Sequence, residues 1–336
     1  MSAETSAVLR SSMMSVAKPG VRFVTGVPDD RGNEALAARQ VSSDVSHSPP
    51  VIAATPGRNG AISANIVADN LSQAWLSAFD LLMSPGVDSI EPLVVTVTGF
   101  DSDNRPSELK RVRDLINQEL RSCHVLRAEK NGRTPNHGPL TVAATANTIF
   151  PESLWNPAAN RDLLYAKYLK VLPRLRRDPR NRRGLYFERL ISYGRGPEGG
   201  NQLEHMLRAF EKKVKRTSAY QATIADPLTD STKTPFLGFP CLQQIAVHPS
   251  ELNGSLAITG FYGTQYLFER GYGNFLGLCA LGRFLASEMG LKLERLTCIA
   301  SYVPVEGIGK TRGRALIVSV REAVATRRRS TSDHGS

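Results

Sequence analysis

Apolar residues recur at three and four along some stretches of the chain and alternate along others, and these two periods divide most of it into elements. Asn70 or Ser72 can cap a helix whose apolar face is Trp75, Leu76, Phe79, Leu81 and Leu82, and Ser84-Pro85-Gly86 stops it. Pro92 to Phe100, with Val94, Val95, Val97 and Thr98, predicts a strand. Ser107 to Ser122 repeats Leu109, Val112, Leu115, Ile116 and Leu120 at helical spacing. Leu140 to Ile149 is small and β-branched and predicts a strand. Asp162 to Leu175 and Gln202 to Lys215 predict helices. Phe239 to Val247 and Ser255 to Tyr266 predict strands joined by a polar turn at Pro249 to Gly254. A helix over Gly277 to Gly290 is ended by that last glycine. Leu296 to Val305 and Ala315 to Val320 predict two closing strands.

Helices and strands are intermixed, and several strands follow one another directly. The expected class is therefore α+β, a large mixed or antiparallel β-sheet with packed helices. Residues 1–60 are rich in Ser, Ala, Pro and Gly without a sustained period and predict a flexible leader. The expected division is this leader, one domain over 61–322, and a basic disordered tail over 323–336.

With 41% hydrophobic and 22% charged residues, the chain has the composition of a globular protein rather than a disordered or fibrous one. No apolar run approaches the length of a membrane span, no secretory h-region is present, and a cytoplasmic protein is expected. Cys123, Cys241, Cys279 and Cys298 show no C-x-x-C spacing, so neither a metal site nor a disulfide framework is expected. Gly-rich phosphate loops are absent. The formal charge of +11 is concentrated in Arg174, Arg176, Arg177, Arg180, Arg182, Arg183 and Arg195, and in Arg327-Arg328-Arg329. Such runs are usually solvated faces, the tail has no interleaved aromatics, and nucleic acid is not the expected partner.

Residues 239–306 carry the chemistry. Pro240-Cys241 opens a strand that continues Gln243-Gln244-Ile245-Ala246-Val247. A second strand runs to Tyr262, followed by Gly263-Thr264-Gln265-Tyr266, then Gly271-Tyr272-Gly273-Asn274 and a helix. This arrangement resembles thymidylate synthase and the related pyrimidine hydroxymethylases, distantly, over roughly residues 62–320 and most sharply over about 190–280. In that family a Pro-Cys pair carries the nucleophile, and an Asn eight residues after a Tyr-Gln-Arg-Ser-x-Asp motif opens a long helix. Cys241 matches the nucleophile and Asn274 the Asn that reads the pyrimidine edge. Tyr193-Gly194, preceding Gln202 and its helix, resembles the family's Tyr-Gly segment.

The chain also departs from the family. Gly263 stands where the phosphate-binding Arg is expected, with Tyr262, Thr264 and Tyr266 at the flanking Gln, Ser and Asp positions. Leu242 follows the nucleophile in place of His. The ribose-contacting His-x-Tyr falls near Pro304 and Glu306. The Arg pair that crosses the family dimer falls near Thr217 and Ser218, beside Arg216.

The resemblance implies a Cys241 thiolate adding to pyrimidine C6, so that C5 becomes the nucleophile toward a one-carbon unit. Such a thiolate needs access and a lowered pKa, for which Arg216 and the Arg174–Arg195 cluster are the candidate cations. A carboxyl relaying protons at O4 is expected, with Glu152, beside Leu154-Trp155, as the candidate. Tyr193, Arg216, Thr264, Tyr266 and Asn274 are the candidate substrate-binding residues. The implied co-substrate is 5,10-methylenetetrahydrofolate, the acceptor a pyrimidine nucleotide or nucleoside, and the assembly a homodimer with sheets packed back to back. The alternative is a catalytically silent relative that binds a nucleotide or a partner protein. Each residue also has a plain structural reading: Cys241 a small buried side chain, Asn274 a helix N-cap, Glu152 a first-turn carboxylate.

Overall fold

The computed structural model describes residues 48–332 except 133–136, 195, 232 and 234–238, with side chains as far as residue 325. Residues 1–47 of the leader expected over 1–60, Arg195, and the side chains of Arg327, Arg328 and Arg329 lie outside the described residues.

Seven strands form one mixed sheet in the order β1-β2-β3-β7-β6-β5-β4. They are β1 (Val51–Pro56), β2 (Ala61–Ala68), β3 (Ser89–Val97), β4 (Gln221–Thr223), β5 (Leu242–Ser250), β6 (Ser255–Thr264) and β7 (Lys292–Pro304). The helices are α1 (Leu71–Met83), α2 (Lys110–Asn131), α3 (Val142–Ile149), α4 (Arg161–Leu175), α5 (Tyr186–Ile191), α6 (Gln202–Glu211), α7 (Pro227–Asp230), α8 (Tyr272–Met289) and α9 (Lys310–Ser332). Two parallel pairs, β2/β3 and β6/β7, are each bridged by a crossover helix, α1 and α8, as a parallel connection requires. The central β3/β7 pairing is antiparallel and joins the two units. The α+β class expected from the order of elements is the class observed.

Register explains which residues reach the core. Leu93, Val95 and Val97 face Ala300, Cys298 and Leu296 across β3/β7, and all are buried under α1 and α8. The alternate residues Val94, Thr96, Thr297, Ile299 and Thr259 are only half-buried, and Phe261 is exposed. Among the described residues, one sheet face is thus covered by helices and the other is not.

Three expectations were wrong, each for a local reason. Leu140 to Ile149 is not a strand: Val142–Ile149 is α3, begun by Thr141, whose Oγ1 accepts from Ala144 N at 3.1 Å. Val142, Thr145 and Ile149 are its buried stripe. Ala315 to Val320 lies inside α9, where Leu316, Ile317 and Val320 are buried and Val318 is exposed. A short apolar run satisfies a buried strand and a buried helix equally. Order also begins earlier than residue 61, inside the expected leader, because Val51–Pro56 pairs along β2 as an edge strand. In addition, the helix expected over 277–290 starts at Tyr272, and the backbone of α9 is helical through Ser332, into the expected tail. No helix among the described residues is long and apolar enough to cross a membrane.

One ion network ties the helical layer together. Arg161, at the start of α4, reaches Glu204 (2.8 Å), Glu211 (3.0 Å) and Glu288 (3.3 Å), on α6 and α8. Its hydrogen bonds hold the Glu204 carboxyl below the usual range, whereas burial pushes Glu288 above it. Stability owed to Glu204 is present above the ordinary carboxylate pKa and is lost as pH falls through the depressed folded value. Arg161→Ala leaves two largely buried carboxylates without their cation and is expected to cost about 3 kcal/mol at neutral pH. Urea unfolding should show this gap narrowing under acidic conditions, where the carboxylates protonate; a gap independent of pH would contradict the assignment.

Candidate active site

Cys241 immediately precedes β5, where Leu242 pairs with Tyr262 and Gly263 N donates to Cys241 O at 3.1 Å. The residues before it are braced from the helical layer. The Phe239 ring stacks on Tyr186 of α5, with centroids 5.2 Å apart, and the Arg189 guanidinium lies 5.0 Å from the same ring. Asp230 of α7 grips Arg189 at both Nη atoms, at 2.9 and 2.7 Å. Gln243 Nε2 donates back to Pro240 O at 2.5 Å. These contacts brace the segment that carries Cys241.

That side chain borders a cavity of about 210 Å³ shared with Tyr186, Tyr266, Glu269, Arg270 and Asn274. The cavity continues into a cleft of about 380 Å³ through Thr148, Arg180, Asn181, Leu185 and Arg270, which line both. The cleft is mainly apolar, with Leu154, Val171 and Leu175 among its walls. Thr145 Oγ1, also at the cleft, is buried without a hydrogen-bond partner among the described residues.

Cys241 is half-buried, whereas Cys123, Cys279 and Cys298 are buried. Burial pushes the Cys241 thiol above its usual value, and the Arg270 charge opposes that rise. Cys298 is pushed up to about 12, also by burial. Cys241 is thus a neutral thiol in the free protein at neutral pH, with one cation placed to favour its ionisation. Among the described residues this cation is neither Arg216 nor a member of the expected cluster.

The structure brings three of the seven candidates together: Cys241, Tyr266 and Asn274. Asn274 is not a helix cap, because α8 begins at Tyr272; its side chain is buried and lines the cavity. Glu152 is absent from both linings and pairs with Arg283 at 2.6 Å, although its neighbours Pro151, Ser153 and Leu154 wall the larger cleft. Tyr193 donates its hydroxyl to Ala225 O at 2.8 Å and supports the segment leading to α7. Thr264 pairs with Tyr302 at the end of β6. Arg216 is exposed before the turn at Thr217–Tyr220, away from this cavity. Two members of the basic cluster are paired locally, Arg180 with Asp178 at 2.6 Å and Arg176 with Glu188.

Sequence reasoning missed Tyr186, Glu269 and Arg270. Glu269 and Arg270 occupy a π-helical turn, Leu267–Gly271, in which the N–H groups of Arg270 and Gly271 both donate to Tyr266 O, at 2.8 and 3.1 Å. A turn of that kind inserts a residue and redirects side chains, and no residue pattern announces it. A comparison with models of known protein families matches none of them, and no curated protein matches the chain significantly.

Proposed function

We propose that the chain is a divergent one-carbon transferase of the thymidylate synthase type, acting at C5 of a pyrimidine. The observation that carries this reading is the meeting of Cys241 and Asn274 in one cavity that opens onto an apolar cleft. The mixed sheet with helices on one face agrees with a thymidylate synthase-like fold.

In this reading Cys241 Sγ, as thiolate, adds to C6, and the ring electrons gathered at C5 make that carbon the nucleophile. The Asn274 amide donates and accepts along the O4/N3 edge and holds the ring over the thiol. A carboxyl is needed to move a proton at O4. Glu269 lines the cavity and Glu152 does not, so Glu269 takes this role in place of the residue expected from sequence. Leu154 and Val171 of the cleft would hold the flat rings of a methylenetetrahydrofolate, and the unpartnered Thr145 hydroxyl would be available to a ring heteroatom. When bound, that group supplies the one-carbon unit. Methylation and hydroxymethylation differ in whether water reaches that carbon, a matter of how completely this cleft closes.

The test is turnover. Uracil and cytosine nucleotides and nucleosides are incubated with the protein and methylenetetrahydrofolate, and products are read by mass. Gain of a methyl or hydroxymethyl group supports the reading. A second reading, a silent relative that binds a nucleotide, is favoured by the neutral Cys241 thiol; it is the outcome if binding occurs without any product.

A homodimer belongs to the same proposal. The uncovered sheet face, with Thr96, Thr259 and Thr297 around a hollow that Thr217 also lines, suits a second copy. In such a dimer Arg216, next to Thr217 in the chain, would approach the neighbouring subunit. Light scattering should give twice the chain mass, and a monomer would count against this arrangement.

A further inference from the structure

We infer that Arg270 is the anion receptor of the Cys241 cavity, and that the acceptor carries a phosphate or carboxylate which this guanidinium seats beside the thiol. The inference rests on the reading of this cavity as the acceptor site.

Charge pairing around the cavity leads to it. Glu269 is engaged by Arg127 at 2.6 Å, Arg180 by Asp178 at 2.6 Å, and Arg189 by Asp230 at 2.7 Å. Arg270 is half-buried and lines the cavity, yet among the described residues no carboxylate pairs with it. A partly desolvated guanidinium without an anion is costly, and the neighbouring thiol, held neutral by burial, does not supply one. The anion therefore comes with the ligand.

The backbone holds Arg270 in that position deliberately. Trp75 Nε1, fully buried, donates to Leu267 O at 3.0 Å and anchors the π-helical turn. A Cβ on Gly271 would lie 2.7 Å from Leu267 Cδ1, so the turn closes tightly against its own first residue. Arg270 also lines the larger cleft, which puts the charge at the junction of the two spaces. At Gly263, where the resemblance places a phosphate-binding Arg, a Cβ would meet only the Gln243 side chain, at 3.9 Å. The cation has moved to the other end of the loop, and with it the place where the acceptor's charged group is held.

The test needs no pyrimidine. Alkylation of Cys241 is followed by peptide mass with iodoacetate, which is anionic, and iodoacetamide, which is neutral. Wild type should favour iodoacetate, Arg270→Gln should lower the iodoacetate-to-iodoacetamide rate ratio roughly tenfold, and Arg270→Lys should retain most of it. Inorganic phosphate or acetate should slow the iodoacetate reaction in wild type and not in Arg270→Gln, and whichever protects at lower concentration identifies the anion class. An unchanged ratio in a folded Arg270→Gln protein overturns the inference. If that variant does not fold, absence of protection by both anions in wild type overturns it. A ratio that falls as expected in a protein forming no pyrimidine adduct leaves the anion receptor standing and removes the pyrimidine reading.

Discussion

Gly277→Val should unfold at markedly lower urea concentration than wild type. α3 and α8 meet through the glycines of α8. A Cβ at Gly277 would lie 2.8 Å from Ala146 O and 3.0 Å from Ile149 Cβ, and one at Gly273 would lie 2.6 Å from Thr145 Cβ. The carbonyl belongs to the α3 backbone and cannot rotate aside, so the helices must separate. Overpacking of this kind typically costs 1–3 kcal/mol, and with backbone in the way about 3 kcal/mol or more is expected. Because Asn147 and Thr148 of α3 wall the cleft, the same change should also raise the rate of Cys241 alkylation. Gly309→Ala is the control: its Cβ would meet nothing within 4 Å, and a change within about 0.5 kcal/mol is expected. Equal stability of the two variants would contradict the close α3/α8 contact.

Cys241→Ser should lose one-carbon transfer almost completely, by about 10⁴-fold or more, since removal of a nucleophile removes the step that all others serve. Sulfur and oxygen are close in size and the side chain borders a cavity, so stability should change by less than about 1 kcal/mol. Wild-type activity should rise with pH, because burial keeps the thiol protonated at neutrality and thiolate accumulates only as pH approaches its raised value. Cys279→Ser, at a fully buried site, should show the reverse pattern, with stability falling and the pH profile unchanged. Activity surviving in Cys241→Ser would remove the covalent mechanism.

Regular elements were readable wherever periodicity was long enough to choose between helix and strand. The Trp75 and Leu115 helices, the strand pair around Gly254 and the Asp162 helix all lie where the apolar spacing puts them. Val142–Ile149 and the middle of α9 were misassigned because a brief run of small or branched apolar residues fits both periods. What makes each a helix is tertiary: α3 lies against glycines of α8, and Gly313 brings α9 to within 2.4 Å of Met83 Sδ for a would-be Cβ. Of the candidate site, Cys241 and Asn274 were singled out through the resemblance of their neighbours, and the structure brings both to one cavity. Glu269 and Arg270 were not, since a π-helical turn has no compositional mark and charged residues before a helix look like ordinary solvated ones. Glu152 failed for the complementary reason: Arg283, which claims it, is remote in sequence.

The most direct test is capture of a covalent adduct. The protein is incubated with 5-fluoro-dUMP, 5-fluoro-dCMP and the matching nucleosides, each with and without methylenetetrahydrofolate, and intact mass and peptide maps are recorded. A stable adduct on Cys241 with at least one fluoropyrimidine, absent in Cys241→Ser, is the predicted result. No adduct with any analogue, from a protein whose Cys241 still reacts with iodoacetamide, would contradict the proposal that this thiol attacks a pyrimidine ring.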